Sequence, residues 1–340
     1  MTTAVGKGTG SGERGSHALR GPAYSASDWT PEGLLRLKGD QAISVVIPAK
    51  NEEATVAAVV ERILADFVRP DGGGLVDEVV VIDSDSTDAT GDVARQAGAS
   101  VHTAAEIRPE LGSVAGKGEA LWKSQFVTRG DLVVFVDADL VDWGTHFVTG
   151  LLGPLLTRDD IHLVKAIYDR PMIDASGREE EIGGRVTELV ARPWLALHRP
   201  ELAGIVQPLS GEWAIRRSSF ESYAVPVGYG VEIAAVLDTA GRFGVDAIAQ
   251  VDLGLRTHRH HRHDTLGLMA VQVLAAADRR RVPGEVDDVT AGSTVDLTQY
   301  ARGAVGFEPH VTAVATGERP PAVSVGMPAH AERGTRADSR

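Results

Sequence analysis

Three short apolar runs punctuate the first half of the chain, and each ends abruptly in polar or acidic residues. They are Ile43-Ser44-Val45-Val46-Ile47 before Pro48-Ala49-Lys50-Asn51-Glu52, Val79-Val80-Val81-Ile82 before Asp83-Ser84-Asp85, and Leu132-Val133-Val134-Phe135-Val136 before Asp137-Ala138-Asp139. Nearly continuous β-branched runs of this length predict parallel strands buried on both faces. Between them the spacing changes to the helical period. Residues 55–67 place Val56, Val59, Val60, Ile63 and Leu64 on one face, residues 89–97 are short and Ala-rich, and residues 119–127 close at Arg129-Gly130. The order β-α-β-α-β predicts an α/β fold, a doubly wound, mostly parallel sheet flanked by helices. Ligands of such sheets sit beyond the carboxyl ends of the strands, where all three polar clusters fall. Each cluster alone reads as a turn or a helix cap; three at one sheet edge point to a site.

Both ends differ from the middle. Residues 6–16 have the Gly/Ser composition of a flexible tail, and residues 312–340 mix Pro, Gly, Ala and charge without periodicity. Two disordered tails, 1–28 and 308–340, are therefore expected around one domain with two halves, 29–160 and 161–307. Residues 1–26 carry no apolar run of the signal-peptide kind, and the longest apolar runs are too short to span a bilayer, so the cytoplasm is the expected compartment. The 47 acidic and 34 Lys/Arg residues give a formal charge of −13, which argues against nucleic-acid or anionic-membrane partners. The absence of cysteine excludes thiolate nucleophiles, disulfides and cysteine-based metal centres.

Motifs narrow the chemistry. A dinucleotide site needs Gly-x-Gly-x-x-Gly after the first strand, and Pro48-Ala49-Lys50-Asn51-Glu52 has no glycine. Gly112-Ser113-Val114-Ala115-Gly116-Lys117-Gly118 imitates a P-loop but has only three residues between its glycines and Gly118 where a metal-binding hydroxyl is required. What survives is Lys117 near a helix start, a local site for a phosphate oxygen, or else a solvated loop lysine. In Asp137-Ala138-Asp139, two carboxylates one residue apart at the end of a buried strand suit a hard divalent cation that keeps open positions for diphosphate oxygens. Asp83-Ser84-Asp85 repeats the spacing without that context.

The strand-end motifs together resemble a GT-A nucleotide-sugar glycosyltransferase. Four further segments sharpen the resemblance: Gly116-Lys117-Gly118-Glu119-Ala120-Leu121-Trp122, the stretch from Gly183-Gly184-Arg185-Val186-Thr187 to Arg192-Pro193, Gln207-Pro208-Leu209-Ser210-Gly211-Glu212, and Gly228-Tyr229-Gly230-Val231-Glu232. Over residues 43–283 the chain is similar to the glucosyl-3-phosphoglycerate synthases of glycosyltransferase family 81. That resemblance implies a GT-A (Rossmann-like) fold with a C-terminal helical, acceptor-binding part. It also implies retaining transfer of glucose from UDP-glucose to the 2-hydroxyl of 3-phosphoglycerate, dependence on Mg²⁺ or Mn²⁺, and a homodimer. Its uridine and ribose contacts fall on Pro48, Ala49, Glu52 and Ser84, and its diphosphate-side lysine on Lys117. Asp137 and Ala138 belong to the donor site. Asp139 and His258 are the implied metal ligands, with Arg256 beside the leaving UDP. Tyr229 and Glu232 face the donor sugar. Gly184, Arg185, Val186 and Thr187 match the acceptor phosphate site, which a guanidinium, a hydroxyl and backbone amides suit. A backbone carbonyl near Leu209 is implied to support the incoming hydroxyl, and Glu232 is the candidate base for an inverting mechanism.

Two departures bear on the acceptor. His260 stands where the family commonly has Asn, and Asp169 places an acid where basic residues are common. They open a second reading, a glycosyltransferase of the same family with another acceptor or another nucleotide-sugar donor. A nucleotidyltransferase would need a Gly-rich, Arg-bearing loop after the first strand, which is missing; a non-catalytic sugar-nucleotide binder would not need the full set Lys117, Asp139, Arg185 and His258. Leu266, Met269, Val273 and Leu274 make an apolar stripe in residues 264–281, suited equally to dimerisation or to the chain's own core.

Overall fold

The computed structural model describes residues 23–141, 143–169, 171–173, 179–181, 184–255, 263–282, 290–302 and 307–326. The three apolar runs become β2 (Ile43–Ala49), β3 (Glu78–Asp83) and β5 (Leu132–Phe135). The helical stretches become α2 (Val56–Phe67), α3 (Thr90–Gln96) and α4 (Lys117–Ser124). One strand of this half, β4 (Ser100–Thr103), is absent from the sequence expectation. It pairs only with β3 at the sheet edge, where a short polar strand needs no apolar run.

Four further strands join the same sheet: β1 (Ala23–Ser25), β6 (Leu163–Asp169), β9 (Trp213–Arg216) and β11 (Ile248–Leu255). Among the described residues the central sheet runs β1-β11-β6-β9-β5-β2-β3-β4, parallel except for β9, which lies antiparallel between β5 and β6. The chain winds outward from β2 to β4 and then returns to the other side of β2 at β5. That reversal opens a crevice beyond the strand ends at β2 and β5.

Side chains alternate across the sheet, so each strand feeds two cores. Val45, Ile47, Val79, Val81 and Val134 pack with α2, α3, α1 (Pro31–Lys38) and α5 (His146–Thr157). Val46, Val80, Ile82, Val133 and Phe135 pack with α4, α6 (Arg192–His198), α8 (Val231–Phe243) and α9 (His263–Asp278). A four-residue helix, α7 (Arg217–Phe220), follows β9 directly. The stripe on α9 divides: Val273 is buried in the second core, whereas Leu274 is exposed.

Small strand pairs complete the fold: β7 (Pro171–Ile173) with β8 (Glu179–Glu181), β10 (Val225–Pro226) with β14 (Glu318–Arg319), and β12 (Thr294–Arg302) with β13 (Phe307–Ala315). Both expected tail boundaries therefore move. Residues 23–25 already belong to the central sheet, because β1 pairs in parallel with β11. The second boundary is overturned more fully, since residues 307–326 form strands and a 3-10 turn. Their anchor is electrostatic. Arg319 is buried and grips the buried Glu119 of α4 through two bonds of 2.7 Å, while Nη1 donates to the Leu111 carbonyl and Nη2 also to that of Gly112. Trp122 of α4 donates its indole N–H to the Pro320 carbonyl at 2.8 Å. Composition hid this segment because one bidentate ion pair, rather than apolar periodicity, holds it down.

Removing one member of a buried pair strands the other charge. Arg319→Leu should destabilise the protein by about 3 kcal/mol, measured by denaturant unfolding, while the companion Glu119→Gln/Arg319→Leu variant should recover part of that loss.

Candidate active site

The crevice at the β2–β5 reversal is a cleft of about 680 Å³. Pro48, Ala49, Lys50, Asn51 and Glu52 line it from the turn after β2, Ser84 from the end of β3, and Asp137, Ala138 and Asp139 from the end of β5. Ala115, Gly116 and Lys117 enter from the start of α4 and Tyr229 from the turn before α8. The structure thus brings together the sequence-predicted Pro48, Ala49, Glu52, Ser84, Lys117, Asp137, Ala138, Asp139 and Tyr229.

Interlocking turns hold the β2 side. Asn51 and Asp85 both adopt left-handed backbone, with φ of 55° and 56°, which Asn and Asp tolerate better than most residues. The Asn51 N–H donates to the Ser86 hydroxyl at 2.9 Å, and its side-chain oxygen accepts the Thr87 N–H at 2.8 Å. Glu52 donates its N–H to the Thr90 hydroxyl at 2.7 Å and accepts the Thr55 hydroxyl on its carboxylate at 3.0 Å. Asp83 accepts the Ser86 N–H at 2.9 Å, so the first Asp-x-Asp triplet serves the turn.

Lys117 is the electrostatic centre. Its ammonium lies 2.7 Å from Asp137 Oδ1 and 2.8 Å from Glu232 Oε1, in the first turn of α8. Burial opposes the charge, but the two carboxylates outweigh it and hold the lysine well above its ordinary range. The Tyr229 phenol is pushed up by burial, helped by Asp137, Glu232 and Asp139 and opposed by Lys117, so it stays a donor at neutral pH.

Glycines permit this convergence. A Cβ on Gly118 would lie 1.8 Å from the Pro226 carbonyl oxygen, and one on Gly211 would lie 2.1 Å from Asp137 Oδ2. The close approach at α4 changes one expectation. The Gly118 and Glu119 N–H groups donate to the carbonyls of Gly228 and Val227 at 3.2 and 2.9 Å. Those helix-start amides are spent on the fold, so the anion-attracting group here is the lysine ammonium rather than an open helix terminus.

Other expected residues stand apart from the cleft wall. Glu232 acts on it through Lys117. Leu209 is half-buried in a turn closed by the Ser210 N–H on the Gln207 carbonyl at 3.1 Å. Gly184, Arg185 and Val186 lead into the turn at Thr187–Ala191, where Thr187 is buried and Glu188 donates its N–H to the Gly184 carbonyl at 3.0 Å. Asp169 is exposed at the end of β6. Arg256, His258 and His260 lie outside the described residues.

Among the described residues no three His, Asp or Glu side chains form a metal cluster. The acidic triplet nevertheless fits a hard cation: Asp137 is committed to Lys117, and Asp139 offers a second carboxylate at the cleft wall. Two other components carry no local sequence signal. Thr312, Ala313, Val314 and Ala315 of β13 line the cleft, and Gln272 of α9 links them to it, donating to the Ala315 carbonyl at 2.9 Å and accepting the Tyr229 N–H at 3.0 Å.

Comparisons with known proteins agree with this layout. The family model described as Glycosyl transferase family 2 matches residues 44–223. A glucosyl-3-phosphoglycerate synthase from Mycolicibacterium smegmatis is 45% identical over 90% of this chain and 97% of its own. The crystal structure of glucosyl-3-phosphoglycerate synthase from Mycobacterium tuberculosis with Mn²⁺, UDP-glucose and phosphoglyceric acid superposes with a TM-score of 0.77 at 43% identity, covering 91% of this chain and all of that one. The same enzyme with Mg²⁺ and UDP gives 0.78 at 43% identity over 90% of this chain and 99% of that one.

Gly211→Ala should push the Asp137 carboxylate off Lys117. Donor turnover, kcat/KM for the sugar nucleotide, should fall about tenfold or more while thermal unfolding stays close to that of the parent protein.

Proposed function

By its family model the chain belongs to Glycosyl transferase family 2 and by its relatives to the glucosyl-3-phosphoglycerate synthases, and from that membership we propose a retaining, metal-dependent transfer of glucose from UDP-glucose to the 2-hydroxyl of 3-phosphoglycerate. The observation that carries the reading is the Lys117 ammonium bracketed by Asp137 and Glu232, at the wall of a cleft lined by five chain segments that carry residues expected to bind the donor.

In this reading the nucleoside lies against Pro48, Ala49 and Ser84. The Glu52 carboxylate, an acceptor-only group steadied by Thr55, accepts hydrogen bonds from the ribose hydroxyls. Lys117 faces the diphosphate, with Arg256 on the same charge. Asp139 and His258 would hold Mg²⁺ or Mn²⁺, which when bound neutralises charge developing on the departing UDP. Glu232 and Tyr229 orient the glucose hydroxyls. Gly184, Arg185, Val186 and Thr187 receive the acceptor phosphate, with His260 donating beside it. The acceptor oxygen attacks the anomeric carbon from the face that UDP leaves. Its proton passes to the departing phosphate oxygen, and the Leu209 carbonyl supports the hydroxyl during attack.

The ion pair also bears on stereochemistry. Glu232 Oε1 sits 2.8 Å from a lysine ammonium, so that oxygen is already engaged by a cation. That favours front-face retention over an inverting mechanism with Glu232 as base. No helix among the described residues is long and apolar enough to cross a membrane; we place the enzyme in the cytoplasm. We propose a homodimer, supported by the exposed Leu274 on α9 and the exposed Val295, Tyr300 and Val311 of the β12–β13 hairpin.

Incubation with UDP-glucose, 3-phosphoglycerate and Mn²⁺ should release UDP only when the acceptor is present and yield a product heavier by one hexose, with an α-anomeric signal by NMR. UDP release without such a product, across a panel of acceptors, would identify a different acceptor, and a β-anomer would contradict retention. Arg185→Ala should raise KM for 3-phosphoglycerate about tenfold or more and leave KM for UDP-glucose nearly unchanged.

A further inference from the structure

Two buried polar side chains stand side by side in the sheet. Lys165 of β6 and Gln250 of β11 are register partners, exposed by 1% and 0%, and neither lines the donor cleft. Both reach for the segment that joins α6 to β9. Gln250 holds its first part, donating to the Gly204 carbonyl at 3.0 Å and accepting the Val206 N–H at 2.7 Å. Lys165 holds its last part, donating from Nζ to the Ser210 carbonyl at 2.7 Å. Between them Gln207 exchanges bonds with the Tyr168 backbone at 2.6 and 3.4 Å, and Arg192 donates to the Val206 carbonyl at 2.9 Å.

Loops usually run over the surface and keep some freedom, whereas this one is fixed along its length by side chains from three elements. The geometry at its end is specific. The Leu209 carbonyl and the Ser210 N–H belong to one planar peptide and point in opposite directions. The Ser210 N–H is committed to the Gln207 carbonyl at 3.1 Å, and the next carbonyl along is committed to Lys165. With both neighbours of that peptide pinned, the direction of the Leu209 carbonyl is pinned as well.

We infer that Lys165 is a positioning residue: by gripping the Ser210 carbonyl it aims the Leu209 carbonyl at the acceptor hydroxyl, and Gln250 steadies the other end of the same segment. The inference rests on the role given to Leu209 under the proposed function. The chemistry of the residue suits the task. Its Nζ carries N–H donors for the carbonyl whether the amine is charged or neutral. Burial pushes Lys165 down to about 7; Glu232 opposes this, Lys117 adds to it, and Glu212 and Asp137 oppose it. The ammonium also lies 5.6 Å from the Trp213 ring centre, a placement that offsets part of its lost hydration.

The test compares Lys165→Met and Gln250→Met with the parent enzyme in three measurements: Mn²⁺-dependent UDP affinity by calorimetry, kcat for 3-phosphoglycerate, and hydrogen–deuterium exchange of residues 204–211. For Lys165→Met we expect UDP affinity within about twofold of the parent, kcat lower by about 10- to 100-fold, and faster exchange at 207–211. Gln250→Met should show the same split, more weakly, with faster exchange at 204–207. Parental kcat in Lys165→Met overturns the inference, as does a fall in kcat matched by an equal loss of UDP affinity. If Lys165→Met does not fold, parental kcat in Gln250→Met overturns it. Should the parent enzyme transfer no glucose to 3-phosphoglycerate, the functional reading fails instead, and unchanged exchange in the variants then overturns the clamp by itself.

Discussion

One half-buried ammonium organises the site. Lys117 lies between Asp137, at the end of a central strand, and Glu232, at the start of α8, so it ties the sheet to the helical layer at the mouth of the cleft. Both carboxylates would repel a diphosphate on their own. The lysine cancels one of those two charges, and a divalent cation held by Asp139 would cancel what remains. This is how a chain of formal charge −13 can receive two small polyanions without any general affinity for nucleic acid.

Bringing three charged side chains together at that depth requires backbone to approach backbone. Gly118 rests on the Pro226 carbonyl, and Gly211 lies against Asp137 with no room for a Cβ. Gly116 and Gly118, which imitate a nucleotide-binding loop in the sequence, are therefore packing residues. The C-terminal segment then closes the arrangement from outside. Arg319 fastens it to α4 through Glu119, β13 supplies a wall of the cleft, and Gln272 joins that wall to Tyr229.

The sheet core and the donor cleft were legible in the sequence because strongly apolar strands ending in acids leave a periodic signal, and because motif spacing fixes which strand end carries which residue. Ser84 and Asp139 are examples: each sits where its strand stops. Other features left no such trace. β4 is an edge strand with little to bury, so its residues do not alternate. Residues 307–326 are held by Arg319, one arginine in a Pro- and Gly-rich stretch that reads as a tail. Lys165 and Gln250 look like ordinary polar positions until the register places them side by side facing one loop. Long-range contacts of that kind depend on topology, which local sequence does not encode.

The account stands on the coupling of Lys117 to its carboxylates, and a double-mutant cycle measures that coupling directly. UDP affinity in the presence of Mn²⁺ would be determined by calorimetry for the parent, Lys117→Met, Glu232→Gln and the double variant. The account predicts marked non-additivity, about 1–3 kcal/mol, because removing the lysine alone leaves Glu232 buried and unpaired, a cost the double variant avoids. Losses that simply add would show that the two residues act independently and would contradict it.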